Sequence, residues 1–186
     1  MNPDLNKLDQ SSWFIIICKT AFLFYLCFLA FQLIFTQNPY TPLDWADVLI
    51  HESGHALFLF AGQTIMTLGG TILQLLVPFF ISLYFLFRKS FFSSAFGLFW
   101  LGNALVHTSR YIKDAQAREL PTIPDGGIHD WWWLLDKWGL LQNDQIIGGA
   151  FFLLACLILL CSIGLFVMLI YLDILKKLSP KMENFT

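Results

Sequence analysis

His51, Glu52 and His55 stand in the order His-Glu-Ser-Gly-His, an H-E-x-x-H spacing, within a segment apolar enough to lie in a lipid bilayer. On a helix, residues four apart share a face, so both imidazoles can reach one Zn²⁺ while Glu52 lies toward a water bound to that ion. The chain holds only 4 histidines, which makes a chance pairing at this spacing a poor explanation. The competing interpretation is structural, with the three side chains bonded to other helices as buried polar pairs. Ionisable groups at membrane depth cost about 2.5–3.5 kcal/mol each on insertion scales, so three so close together need a strong compensating partner. A divalent cation supplies one.

A catalytic zinc site takes three protein ligands and keeps a further position for water. His51 and His55 provide two, and His129 is the expected third. It follows the turn Asp125-Gly126-Gly127 and opens an aromatic stretch that can anchor a loop at the membrane surface. Asp125 is the alternative, with His107 behind it. Asn103, His107, Arg110 and Asp114 recur at helical spacing on one stripe, which must face protein, water or a metal site rather than lipid. From that stripe His107 would support a ligand or water from behind, and His107, Asn103 or Arg110 would stabilise a developing oxyanion. Glu52 is the expected general base. Metal coordination lowers the pKa of a bound water toward neutrality, and Glu52 takes its proton and passes it to the leaving amine. Gly69-Gly70, Gln74 and Pro78 also lie at helical spacing. They read equally as a close helix contact that turns Gln74 toward the site or as ordinary packing with a kink.

These residues need helices to hold them. The chain has 186 residues, 57% hydrophobic and only 13% charged, against about 25% charged in soluble domains, so an integral membrane protein is expected. With 11 Lys+Arg against 13 Asp+Glu, nothing suggests a nucleic-acid partner. The expected fold is all-α and polytopic, a single membrane domain with five spans at about residues 13–36, 44–61, 64–87, 91–112 and 146–175. The polar stretch 113–145 is expected as a loop carrying an interfacial or re-entrant helix over 128–141, since its tryptophans favour the headgroup level. Lys19, near the start of the first span, is expected to snorkel to the interface. Cys18, Cys27, Cys156 and Cys161 lie in apolar runs and read as small buried hydrophobes. The first apolar run is too long for a signal-peptide core and is read as a retained helix. With five crossings the cations divide almost evenly between the two sides, leaning toward a cytoplasmic C-terminus.

An H-E-x-x-H on a membrane helix followed by Pro124-Asp125-Gly126-Gly127 resembles the site-2 protease class of intramembrane zinc metallopeptidases, the M50 peptidases. The resemblance implies zinc held by His51 and His55, with Glu52 as base, and would make Asp125 the distal ligand. Arg118 stands where that class has asparagine, and the spacing is one residue short. The segment Asp114 to Pro121 and the triplet His129-Asp130-Trp131 are similar to a branch of M50-like bacterial membrane proteins with a distal HDW motif, which implies His129 as third ligand. It also implies a bacterial cell membrane as the location. The resemblance covers most of the chain between Leu49 and Leu135.

The resulting expectation is a membrane-embedded zinc metallopeptidase that cuts peptide bonds in or near transmembrane segments of another membrane protein. No PDZ-like module is recognisable, so substrate selection falls to the helices, the loop or a partner. The same zinc and Glu52 would also serve a hydrolase of lipid amides or esters. A non-enzymatic scaffold with a structural metal site is the third expectation, against which the intact Glu52 argues, since a structural site has no use for a base.

Overall fold

Long apolar runs with no internal breaker become long helices. In the computed structural model, which describes residues 3–37, 39–122 and 127–182, they form α1 (Pro3–Phe35), α3 (Gln63–Phe87) and α6 (Asp144–Met182). Each contains a stretch long and apolar enough to cross a membrane. The other helices are α2 (Asp44–Leu57), α4 (Phe91–Lys113) and α5 (Asp130–Lys137), and no strand occurs among the described residues. The expected all-α architecture is therefore present.

Of the five expected spans, those of α1, α3 and α6 are long and apolar enough to cross a membrane; α4 is long but not apolar enough to be counted with them, and α2 is short. Its 14 residues rise only about 21 Å, short of the ~30 Å hydrocarbon core. It ends at Leu57, where the chain passes through a 3-10 turn over Leu59–Ala61. At Gly62 the backbone takes φ +84°, a region that favours glycine and allows the sharp return into α3. The aromatic helix also differs from its expected extent. α5 covers eight residues, ending before Gly139 at φ +67°, and it is docked rather than merely interfacial. Trp131, Leu134 and Leu135 are buried against Ile112 and Ala115.

α4 is the central element. Ala95, Phe99, Asn103, Ala104 and Val106 are fully buried, with α1, α3 and α6 packed around the helix. Leu26, Leu33, Leu159 and Phe166 complete the main core. Polar side chains stitch the helices internally, as the absence of water at such a position requires. Ser82 donates to Ser94 O (2.9 Å), Ser162 to Ala95 O (2.7 Å) and Ser109 to Gly148 O (2.8 Å).

These contacts also order the two ends of the bundle. At the end where α1 begins, Lys19 of α1 pairs with Asp173 of α6 at 2.7 Å and lies over the Phe92 ring of α4. Lys19 is thus ion-paired while remaining partly exposed. At the opposite end Arg110 of α4 donates to Leu33 O, Thr36 O and Gln37 O, the open carbonyls at the end of α1. Gln116 donates to Asp144 at the start of α6, and Lys137 of α5 donates to Thr64 at the start of α3.

Candidate metal centre

α2 and α3 make the floor of the site because glycines let their backbones touch. A Cβ on Gly54 would clash with the backbone at Gly69 and Gly70, and one on Gly69 would lie 2.8 Å from Gly54 O. The close approach brings α3 polar groups under the α2 histidines. His51 Nδ1 donates to Gln74 Oε1 at 3.0 Å, and His55 Nδ1 donates to Met66 O at 2.9 Å. A carbonyl can only accept, so the Nδ1 of His55 carries a proton and its Nε2 is left to bind elsewhere. Gln74, one of the two readings of the α3 stripe, does face the site.

Both Nε2 atoms converge on a single carboxylate oxygen. Asp130 Oδ2 lies 3.0 Å from His51 Nε2 and 3.2 Å from His55 Nε2. Burial would raise the Asp130 carboxyl, but the bonds from His51 and His55 outweigh it and hold the group below the ordinary carboxylate value. Two imidazole nitrogens with their other ring positions already donating face one carboxylate, a donor set that would suit either a shared proton or a divalent cation. In a tetrahedral zinc site with bonds of 2.0–2.1 Å, ligand atoms stand about 3.3 Å apart, close to the separations seen here. Gly70 leaves room for such an ion: a Cβ there would come within 2.6 Å of His51 Nε2 and 2.7 Å of His55 Nε2. Glu52 completes the group, with ligand atoms of His51, Glu52 and His55 all within 4.8 Å of one another. The residues present therefore fit a divalent metal, held by His51, His55 and Asp130 and flanked by Glu52.

His129, the expected third ligand, faces away from this group. Its Nε2 is 3.2 Å from Asp114 Oδ2, and its Nδ1 accepts from Trp132 N at 3.1 Å, capping the start of α5. Its side chain is 2% exposed. Burial pushes its imidazole below the usual value, against the pull of Asp114. The triplet thus divides its work. His129 starts the helix, Asp130 points at the histidines of α2, and Trp131 anchors the turn by donating to Thr71 of α3 at 3.2 Å. Asp130 was missed although it adjoins the chosen residue. The available signal was the HDW triplet itself, in which the cap position and the first helical residue must point in different directions. Asp125, the alternative ligand, lies outside the described residues.

The α4 stripe splits into separate tasks. Asn103 donates to Asp47 Oδ2 (2.8 Å) and accepts from Thr41 Oγ1 (2.9 Å). His107 Nε2 stands 3.0 Å from Asp44 Oδ1. Arg110 closes α1, and Asp114 accepts from the backbone of Glu119 and Leu120. Asp44 and Asp47 are thus a second carboxylate pair that sequence reasoning did not single out, and Trp100 also donates to Asp47 at 2.7 Å. Their signal was position: two acids in the first turn of α2, where the helix dipole favours them, ahead of His51. Tyr111, between His107 and Asp114, was likewise not singled out. Its hydroxyl accepts from Asp130 N at 3.1 Å, and its ring lies against that of His129.

A cavity of about 290 Å³ adjoins the group, and Glu52, Asp130, Tyr111, Val48, Leu120 and Ile128 are among the residues that line it. Comparison of the chain with family models, with curated proteins and with solved structures found no match.

Proposed function

We propose that the protein is a membrane-embedded zinc hydrolase, acting as a metallopeptidase on peptide bonds in or near a transmembrane segment of another protein. The observation that carries this is the approach of His51 Nε2 (3.0 Å) and His55 Nε2 (3.2 Å) to the same oxygen of Asp130, with Glu52 within 4.8 Å of both histidines. A structural zinc site closes all four positions with protein ligands, whereas three ligands with a free glutamate at the mouth of a cavity suit hydrolysis.

A bound Zn²⁺ would polarise the scissile carbonyl and lower the pKa of a bound water. Glu52 removes a proton from the attacking water and returns it to the leaving amine. Gln74 and Met66 O fix the imidazole orientations by accepting their Nδ1 protons. Trp131 and His129 hold α5 so that Asp130 stays aimed at the site. Val48, Leu120 and Ile128 add apolar surface to a cavity that carboxylates and histidines also line.

Placement in the membrane follows from the helix that carries Gly70 and Gln74. They lie about 10 and 17 Å along α3, a helix long and apolar enough to span, so the site falls inside the hydrocarbon layer. α4 runs antiparallel to α6, with Ala95 beside Ser162 and Ser109 beside Gly148, and thus shares the depth of a spanning helix. Four crossings result, by α1, α3, α4 and α6. The chain after α1 re-enters the bundle, where Thr41 meets Asn103, and α2 returns it to the same side. Lys7, Arg88, Lys89, Lys176, Lys177 and Lys181 then lie at the end where α1 begins, against Lys113, Arg118 and Lys137 at the other. The positive-inside rule puts the first end in the cytoplasm and α5, with the mouth of the site, toward the opposite face.

The test is Glu52→Gln in zinc-loaded protein with a transmembrane peptide as substrate. Zinc should be retained and turnover lost, and undiminished cleavage would remove the mechanism. A preparation that cleaves lipid amides but no transmembrane peptide would move the assignment to a lipid hydrolase.

A further inference from the structure

We infer that Tyr111 supplies the hydrogen bond that stabilises the oxyanion developing on the substrate carbonyl. The inference rests on the hydrolase reading above and adds to it the donor that the reaction requires.

Carbonyl addition places negative charge on the substrate oxygen, and a donor aimed at that position in a dry site is worth about 10²–10³ in rate. Two of the side chains that sequence spacing put forward for this task are engaged elsewhere: the Nδ2 of Asn103 is given to Asp47, and Arg110 is spent on the carbonyls that end α1. The third, His107, has its Nε2 3.0 Å from Asp44 Oδ1 without a hydrogen bond. Trp100 also donates to Asp47, and Gln74 holds the His51 imidazole through its carbonyl oxygen.

Tyr111 offers a hydroxyl donor on a ring fixed beside the candidate metal ligands. Its hydroxyl accepts the backbone N–H of Asp130 at 3.1 Å, which uses a lone pair and leaves the O–H proton to donate. It lines the same cavity as Glu52, His51 and Asp130. The ring is held on two sides, 4.1 Å from the His129 ring centroid and 6.1 Å, edge-on, from that of His51. A phenol so fixed needs no reorganisation when charge appears, which is the condition for electrostatic stabilisation to lower a barrier.

The step balances with these groups alone. Water oxygen bonds to the carbonyl carbon as the carbonyl π pair moves to oxygen, and Glu52 takes the water proton. Tyr111 donates a hydrogen bond to the new oxyanion but keeps its proton. On collapse the C–N bond breaks, and Glu52 returns the proton to the amine.

Tyr111→Phe keeps the ring and removes only the hydroxyl. With a fluorogenic transmembrane peptide, kcat should fall about 10²-fold with KM little changed and zinc content equal to wild type. Calorimetry with a phosphinic peptide, whose tetrahedral oxygen mimics the oxyanion, should show at least tenfold weaker binding to the zinc-loaded variant. Wild-type turnover in Tyr111→Phe would overturn the inference. So would a parallel loss of zinc, which would make the phenol only a support for Asp130. A zinc-loaded wild type that cleaves no peptide would instead overturn the hydrolase reading itself, so the two failures are distinguishable.

Discussion

At the residue scale, the two histidines and the glutamate were legible because helical spacing alone puts His51 and His55 on one face. The residue that meets them was not legible, for a definite reason. Consecutive residues at a helix start point about 100° apart, so a shift of one residue in where α5 begins decides whether His129 or Asp130 faces His51 and His55. His129 takes the cap and Asp130 the first helical position. Gly70 offers a test at the same scale, since its missing Cβ is the space before both Nε2 atoms. Gly70→Ala should abolish zinc binding while leaving helix content unchanged by circular dichroism; stoichiometric zinc in that variant would mean the ion lies elsewhere.

At the element scale, the apolar runs of α1, α3 and α6 could be read from composition, whereas the limits of α2 and α5 could not. Both helices are set by tertiary contacts: the Gly54–Gly69 touch and the Gly62 turn for α2, and the burial of Trp131, Leu134 and Leu135 for α5. The polar stripe on α4 was recognised as inward-facing, but its division of labour depends on which neighbour each residue meets. Arg110 is a bolt on the end of α1. Arg110→Gln should lower stability by about 1–3 kcal/mol, measured by thermal unfolding in detergent, with turnover per folded molecule unchanged. A folded variant with normal stability and lost turnover would return Arg110 to the site.

At the scale of the whole molecule, counting apolar runs makes each run a crossing, whereas three helices, α1, α3 and α6, are long and apolar enough to span. α2 is short and packs back on α3, while α4 is screened from lipid by its neighbours and can afford polar residues. The proposed four crossings would bring both ends of the described chain to one face and separate the cations six to three, where five crossings left them nearly balanced. The topology is open to direct measurement. In a background with the four cysteines replaced by serine, Lys89→Cys should react with an impermeant maleimide from the cytoplasmic side and Lys137→Cys from the other. Labelling of both from one face would contradict four crossings.

The central claim is a metal held by His51, His55 and Asp130, and zinc content measures it most directly. Purified wild type should carry stoichiometric zinc and Asp130→Ala essentially none. His129→Ala, which disturbs only the support of the ligand loop, should retain the ion with affinity lowered about 10–100-fold. Full zinc in Asp130→Ala together with none in His129→Ala would contradict the account.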